Sequence, residues 1–370
     1  MFNRHKAKKL SIALLCQTTL LLSSSIPSST AGAEIFHSEP LAVNVSGAKT
    51  PVSQLSASGT SVSETSISES PISETDAART AYGNILWQYY DIWNTDDVSL
   101  SLYSEDSIVN YQVYYGYAST DANYQLDFTL KDLDGNGTEE LMIGIDYGGS
   151  GNASVLDIFT YASGRAVRLL SGAERSHLTL CRDGVISENG SGGAAHNYQS
   201  YYTIGSDGKS CDTIGYYYIN GDDQTVEDLE GTVTPFDGNY DQYLYQYEEE
   251  TLSWKEVSES SIAEKTVPRE AAGAALTWRE IGKAPIYKNG MINNGYEVFA
   301  AYCRRTWSEE EFAARLITQD YEGEQPGTNV FEITEQESGV WVGTATLNLS
   351  TGEVTEERAD GSSETFSVLL

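Results

Sequence analysis

The sequence predicts an α+β protein of mainly antiparallel β structure, in which an N-terminal helix packs on a meander sheet and a small helix-plus-hairpin domain follows. Two observations support this fold class. Short segments rich in β-branched and aromatic residues recur between glycine turns, as in "YASGRAV", "CRDGVIS" and "GSDGKS", which is typical of antiparallel hairpins. Before them lies "AARTAYGNILWQYYDIWN", whose apolar residues recur at helical spacing.

The first 33 residues have the composition of a secretory signal peptide. Basic residues at positions 4 to 9 precede an apolar run over residues 10 to 22, and Ala31-Gly32-Ala33 offers a cleavage site. The run is too short to span a bilayer comfortably, so we expect secretion without stable membrane insertion. The alternative is a cell-surface lipoprotein modified at Cys16, although Leu15 stands where such proteins carry a small residue.

Composition divides the rest of the chain into three parts. Residues 34 to 76 are rich in Ser, Thr and Glu and poor in large apolar residues, which predicts a disordered tether. Residues 77 to 283 are predicted to form a mainly-β domain, and residues 284 to 370 a small α+β domain. The helix that opens the larger domain has one apolar stripe, formed by Tyr82, Ile85, Leu86, Tyr89 and Trp93.

The segment "YQLDFTLKDL" alternates between apolar and polar residues and predicts a strand. We expect Leu126 and Phe128 to face the core, and Asp127 and Thr129 to face solvent. In the last domain, Ser308 and Glu311 in "TWSEEEFAARLI" have the spacing of a capping box and predict the start of a helix. Strands are predicted at "NVFEITE" and "GVWVGTATLNL", with a tight turn in "LNLSTGEV".

The chain is strongly acidic: its 370 residues include 54 Asp and Glu against 22 Lys and Arg, giving a formal net charge of −32. Such a charge disfavours nucleic acid and anionic membrane surfaces as partners. A solubilising acidic surface accounts for most of it without any metal site. Cys181 and Cys211 lie in one predicted sheet region and could form a disulfide, which would leave Cys303 as a free thiol; the sequence does not decide this. The spacing of the three cysteines fits no zinc pattern.

The loop "KDLDGNGTEEL" concentrates oxygen ligands suited to calcium. Calcium takes roughly six to eight oxygens, which a tight loop supplies from alternate residues. Gly137 allows the sharp bend that would turn the carbonyl of Thr138 inward. The predicted metal-ligating residues are Asp132, Asp134, Asn136, Thr138 and Glu140.

This loop resembles the D-x-D-G-N-G-x-x-[DE] calcium loops of EF-hand and dockerin sites and of integrin-like propeller blades. The twelfth position holds Ile143 where an EF-hand has a bidentate Glu, and strand-like sequence flanks the loop. The resemblance therefore implies a β-hairpin version closed by Glu140. The stretches "DLDGNGTEELMIG", "FTYASGRAVRLLSG" and "SGGAAHNYQSYYTI" are also similar to uncharacterised exported proteins of Gram-positive bacteria, and "LNLSTGEV" resembles PepSY-like domains.

Asn136-Gly137 is also a strong signal for a plain hairpin turn. Three carboxylates within nine residues would repel one another unless a cation or protons neutralised them, and a plain turn needs none of them, which favours calcium. Magnesium demands a stricter octahedron and is less suited. The sequence thus predicts a secreted calcium-binding protein with a structural ion. The alternatives are an extracellular hydrolase of cell-wall or dietary polymers, for which no catalytic residue stands out, and a protease-regulating or ligand-binding surface module.

Overall fold

The computed structural model describes residues 43–45, 73–95, 107–114, 124–173, 175–277, 280–306, 312–320 and 327–369. It has the α+β class predicted from the sequence, with mainly antiparallel sheets and a few helices. The predicted signal peptide, Cys16 and most of the predicted tether lie outside the described residues. No helix in the described ranges is long and apolar enough to cross a membrane.

Five α-helices and twenty strands are described. The helices are α1 Glu74–Trp93, α2 Tyr111–Tyr114, α3 Asp241–Leu244, α4 Glu259–Lys265 and α5 Gly295–Thr306. The strands are β1 Val43–Val45, β2 Tyr124–Lys131, β3 Glu140–Tyr147, β4 Ala153–Ala162, β5 Arg165–Ser171, β6 Ser176–Leu180, β7 Ile186–Ser191, β8 His196–Ile204, β9 Cys211–Asn220, β10 Thr225–Asp228, β11 Val233–Pro235, β12 Lys255–Glu256, β13 Gly282–Lys283, β14 Ile286–Lys288, β15 Met291–Ile292, β16 Phe312–Asp320, β17 Thr328–Glu335, β18 Trp341–Asn348, β19 Glu353–Arg358 and β20 Ser363–Ser367.

The larger sheet has fourteen strands, and its main path runs β11-β10-β9-β8-β7-β6-β4-β3-β2-β12. Strand β5 also pairs with β4, and β13 pairs with β5. The pairs β13–β5 and β14–β9 are parallel, and the other described pairs are antiparallel. Because β2 and β3 are neighbours in this sheet, the loop between them, residues 132 to 139, lies at one end of a hairpin.

Helix α1 packs its predicted apolar stripe on one face of this sheet. Tyr82, Ile85, Leu86 and Tyr89 are buried in one cluster with residues of β2 and β3, while Trp93 is half-buried. The side chain of Ser73 accepts a hydrogen bond from the amide of Asp76 and caps the helix. The helix therefore begins at Glu74, a few residues inside the range predicted to be tether.

The opposite face of β2 is buried at its centre, and the prediction that Asp127 and Thr129 face solvent is wrong. Asp127 and Thr129 are 2% and 7% exposed. The alternation itself is present, but Thr129 pairs with Met142, which packs in a second apolar cluster with Ile158 and Leu170. The sheet is thus covered on both sides, and period-two alternation does not reveal a second layer.

The smaller sheet has the order β1-β16-β17-β18-β19-β20. Helix α5 packs on it through Val298 and Phe299, which lie in one cluster with Phe331 and Leu347. The prediction of a helix starting at Ser308 is wrong over residues 312 to 320, which form β16; residues 307 to 311 lie outside the described ranges. Strand β16 pairs with β17 along its whole length, and this long-range pairing overrides the local capping signal.

Two segments differ from the predicted domain division. Val43–Val45, inside the predicted tether, pairs antiparallel with β16 as an edge strand. Strand β14 follows the predicted boundary at residue 284 yet pairs with β9 of the larger sheet. An ion pair between Lys283 Nζ and Glu297 Oε2, at 3.0 Å, joins the larger sheet to α5.

The disulfide left open between Cys181 and Cys211 is not formed. Both residues are buried as free thiols in different apolar clusters. Burial raises the pKa of Cys211 to about 12 and that of Cys181 to about 11. Both thiols are therefore protonated and act as small apolar side chains.

Candidate metal centre

The acidic loop, residues 132 to 139, connects β2 to β3 directly, so strands flank it on both sides as expected. Gly135 and Gly137 adopt positive φ angles of 75° and 89°. Residues with side chains rarely adopt this conformation, which explains the D-G-N-G sequence at the tip of the loop.

The first two carboxylates fold the loop around themselves. Asp132 accepts hydrogen bonds from the amides of Gly135, at 2.8 Å, and Gly137, at 2.9 Å. Asp134 accepts from the amide of Asn136 at 3.0 Å and from its side-chain Nδ2 at 2.8 Å. These bonds bring both carboxylates to the inside of the bend, and Asp residues commonly support turns in this way.

Glu140, the first residue of β3, is fully buried beneath the loop. Its Oε2 accepts a hydrogen bond from the amide of Leu133 at 2.8 Å, and its Oε1 accepts one from Thr160 Oγ1 at 3.0 Å. Its pKa is raised to about 7, mainly by burial and also by the charges of Asp134 and Asp132, while the two hydrogen bonds oppose the increase. A buried carboxylate with neighbouring negative charge is stabilised by a proton or by a cation.

Three of the five predicted ligand residues converge. One carboxylate oxygen each from Asp132, Asp134 and Glu140 lies within 4.8 Å of the other two. Among the described residues, this is the one group of three or more His, Cys, Asp or Glu side chains that converges so closely. Acidic residues are also frequent in the sequence near residues 222 to 228 and 237 to 241, but among the described residues they form no such group.

The other two predicted ligand residues, Asn136 and Thr138, are hydrogen-bonded to each other within the loop through the amide of Thr138. Asn136 Oδ1 accepts a hydrogen bond from the amide of Thr138 at 2.6 Å, while Nδ2 of Asn136 points to Asp134. The amide side chain therefore lies beside the carboxylates, although its oxygen is held by the loop itself. Coordination through Asn136 Oδ1 would require that hydrogen bond to be released.

Two turns distant in sequence pack against this loop. Gly184 approaches so closely that a Cβ atom there would lie 2.2 Å from the carbonyl oxygen of Leu133. A Cβ on Gly208 would lie 3.2 Å from Asn136 Nδ2 and 3.5 Å from Asp134 Oδ2. Glycine at these positions leaves the space that the loop occupies. The converging carboxylate oxygens are donors of the kind that a hard cation such as calcium takes.

Sequence reasoning missed Thr160, Gly184 and Gly208. Thr160 is almost fully buried, and its hydroxyl lies 3.0 Å from Glu140 Oε1 and 3.3 Å from the carbonyl oxygen of Gly208. None of the three residues belongs to the loop motif, and only strand pairing brings them to it. A glycine in the turn "GSDGKS" is unremarkable by sequence alone.

A second polar network is buried between α1 and the larger sheet. Asp157 is fully buried, forms an ion pair with Arg168 Nε at 3.3 Å and accepts a hydrogen bond from the hydroxyl of Tyr89. That hydroxyl accepts from the amide of Asn110 at 2.9 Å. We interpret this buried network as a structural connection, because each charged group in it has a partner of opposite charge or a hydrogen bond.

The described residues include two histidines, His177 and His196. His177 is exposed on β6. His196 Nδ1 lies 2.9 Å from the hydroxyl of Tyr218, and its Nε2 lies 3.5 Å from Asp222 Oδ2. Neither histidine is part of the carboxylate cluster.

The chain was compared with protein-family models, curated proteins and solved structures. No family model, curated protein or solved structure matches it.

Proposed function

We propose that this chain is a secreted calcium-binding protein in which Asp132, Asp134 and Glu140 hold a structural ion. The observation that supports this most strongly is the convergence of three carboxylates of which Glu140 is fully buried. A plain hairpin turn needs no buried carboxylate, and the cost of burying one is offset by a cation. The basic and apolar character of residues 1 to 33 supports secretion.

The ion's proposed role is to stabilise the β2–β3 hairpin. Asp132 and Asp134 come from the loop and Glu140 from the strand beneath it, so a shared ion would fix the loop to the sheet. The resemblance of the loop to β-hairpin calcium sites supports calcium over magnesium. The arrangement we propose around it is an N-terminal helix on a meander sheet, followed by a smaller helix-plus-hairpin unit.

Isothermal titration of calcium into metal-free protein tests the proposal. We expect one ion per chain, with an affinity of about 10⁻⁴–10⁻³ M as in other extracellular modules. The double variant Asp134→Ala with Glu140→Ala should lose the saturable heat. A control, Asp222→Ala with Asp223→Ala, removes the same charge from a turn outside the cluster and should leave binding unchanged. Equal loss in both double variants would show that overall charge, and not this loop, attracts the ion.

Thermal unfolding provides a second readout of a structural role. With a dissociation constant of about 1 mM, roughly 10 mM calcium stabilises the folded state by about 1.4 kcal/mol. The melting temperature of wild-type protein should therefore rise by a few degrees with calcium, and that of the Asp134→Ala, Glu140→Ala variant should not. An unchanged wild-type melting temperature, despite binding, would contradict the structural role.

A further inference from the structure

The turn between β8 and β9, residues 205 to 210, meets the acidic loop at the same end of the larger sheet. Its shape is set internally: Gly208 N donates to the carbonyl of Gly205, and Asp207 Oδ1 accepts from Ser210 N and Oγ at 3.0 and 2.7 Å. The carboxylate of Asp207 is thus engaged within its own turn. What this turn presents to the acidic loop is the main chain of Gly208.

Gly208 lies close both to the acidic loop and to Thr160. A Cβ at this position would be 3.2 Å from Asn136 Nδ2 and 3.5 Å from Asp134 Oδ2. Its carbonyl oxygen lies 3.3 Å from Thr160 Oγ1, the same hydroxyl that lies 3.0 Å from Glu140 Oε1. Thr160 therefore stands between the carbonyl of Gly208 and the carboxylate of Glu140.

A threonine hydroxyl has a single proton to donate. It cannot fully satisfy both Glu140 Oε1 and the carbonyl of Gly208, so two acceptor oxygens here compete for one donor. A cation beside Glu140 would resolve the competition, because calcium binds carboxylate and main-chain carbonyl oxygens alike and takes roughly six to eight of them. The carboxylates of the loop leave room in such a shell for a further protein oxygen.

We propose that the main-chain carbonyl of Gly208 is an additional calcium ligand, so that the ion joins the acidic loop to the β8–β9 turn. This inference rests on the proposed function. It extends the ion's role from one hairpin to two, because β2–β3 and β8–β9 lie in different parts of the fourteen-stranded sheet. A carbonyl ligand has no side-chain signature, and the carboxylate pattern in the sequence therefore gives no indication of it.

Carbonyl NMR tests the ligand directly. Protein labelled with ¹³C′-glycine and ¹⁵N-lysine gives correlations only from Gly–Lys pairs, and the chain contains two, Gly208–Lys209 and Gly282–Lys283. Loss of one correlation in Gly208→Ala assigns the peaks. Calcium should shift the Gly208 carbonyl resonance downfield in a saturable manner, while Gly282, in β13, serves as the internal reference and stays in place.

The outcomes separate this inference from the proposed function. Saturable calcium binding by calorimetry with an unmoved Gly208 carbonyl overturns the inference and leaves the calcium site intact. An absence of calcium binding overturns both. If calcium shifts the carbonyl resonances of Gly208 and Gly282 by equal amounts, the change is global to the protein, and this also counts against a carbonyl ligand.

A pair of variants gives an independent test. Gly208 and Gly231 both have positive φ, 67° and 78°, but a Cβ on Gly231 would meet nothing within 4 Å. Gly208→Ala should weaken calcium binding at least tenfold, because both the backbone and the contact with Asn136 must shift. Gly231→Ala introduces the same kind of backbone strain elsewhere and should bind calcium like wild type. Equal affinities for the two variants would overturn the inference.

Discussion

The buried carboxyl of Glu140 predicts a specific dependence of stability on pH in calcium-free protein. Its pKa is about 7 in the folded chain, against an ordinary value of 4.5. Between these values the folded state binds a proton that the unfolded state has released. The free energy of unfolding therefore falls as pH rises through this window. The loss of stability is complete above the pKa that Glu140 has in the folded state.

The structure sets the size of this effect. One pKa unit corresponds to about 1.4 kcal/mol, so the full interval from 4.5 to about 7 amounts to roughly 3 kcal/mol. About 2 kcal/mol of this is lost between pH 5.5 and pH 8. Glu140 is fully buried, so solvent screening reduces the effect little. Glu140→Gln keeps the shape of the side chain and removes its titration.

Urea denaturation in metal-free buffer at pH 5.5 and pH 8 measures the difference. From pH 5.5 to pH 8, the free energy of unfolding of the wild type should fall by about 2 kcal/mol more than that of Glu140→Gln. Taking the variant as reference removes the contribution of the other carboxylates. Parallel pH profiles for the two proteins would contradict this prediction, since they would mean that Glu140 titrates alike in the folded and unfolded states.

Two further predictions concern packing around the sheet. Tyr89→Phe removes the hydroxyl from the buried polar network and should lower the free energy of unfolding by about 1–3 kcal/mol, measured by urea titration. The control Tyr90→Phe removes an exposed hydrogen bond and should lower the free energy of unfolding by less than about 0.5 kcal/mol. Gly184→Ala places a Cβ against the carbonyl of Leu133 and should cost at least about 1 kcal/mol more than Gly238→Ala, a positive-φ glycine with open surroundings; equal costs would show that backbone strain alone matters there.

The acidic loop was the most predictable part of the site because its information is local. Asp132 and Asp134 are two residues apart, glycines mark the bend, and Glu140 opens the next strand. Oxygen-bearing side chains on alternate residues of a tight loop can converge on one point, so this part of the site is encoded in a short stretch of sequence. Thr160 and Gly208 could not be predicted, since they reach the loop through the pairing of strands far apart in the sequence.

The errors in the predicted fold have the same origin. Thr129 was expected in solvent because alternation shows which residues share a face, and not whether a second layer covers that face. The capping box at Ser308 was a valid local signal, yet pairing of Phe312–Asp320 with β17 outweighs it. Local patterns predicted the fold class and the acidic loop. Long-range contacts decided which residues are buried and the secondary structure of the last domain.

A crystal structure of the protein grown with calcium would show directly whether the acidic loop holds an ion. We expect one density peak between Asp132, Asp134 and Glu140, with oxygens at about 2.3–2.6 Å from it. A well-ordered loop with no such peak at saturating calcium, or an ion bound elsewhere with these carboxylates apart, would contradict it.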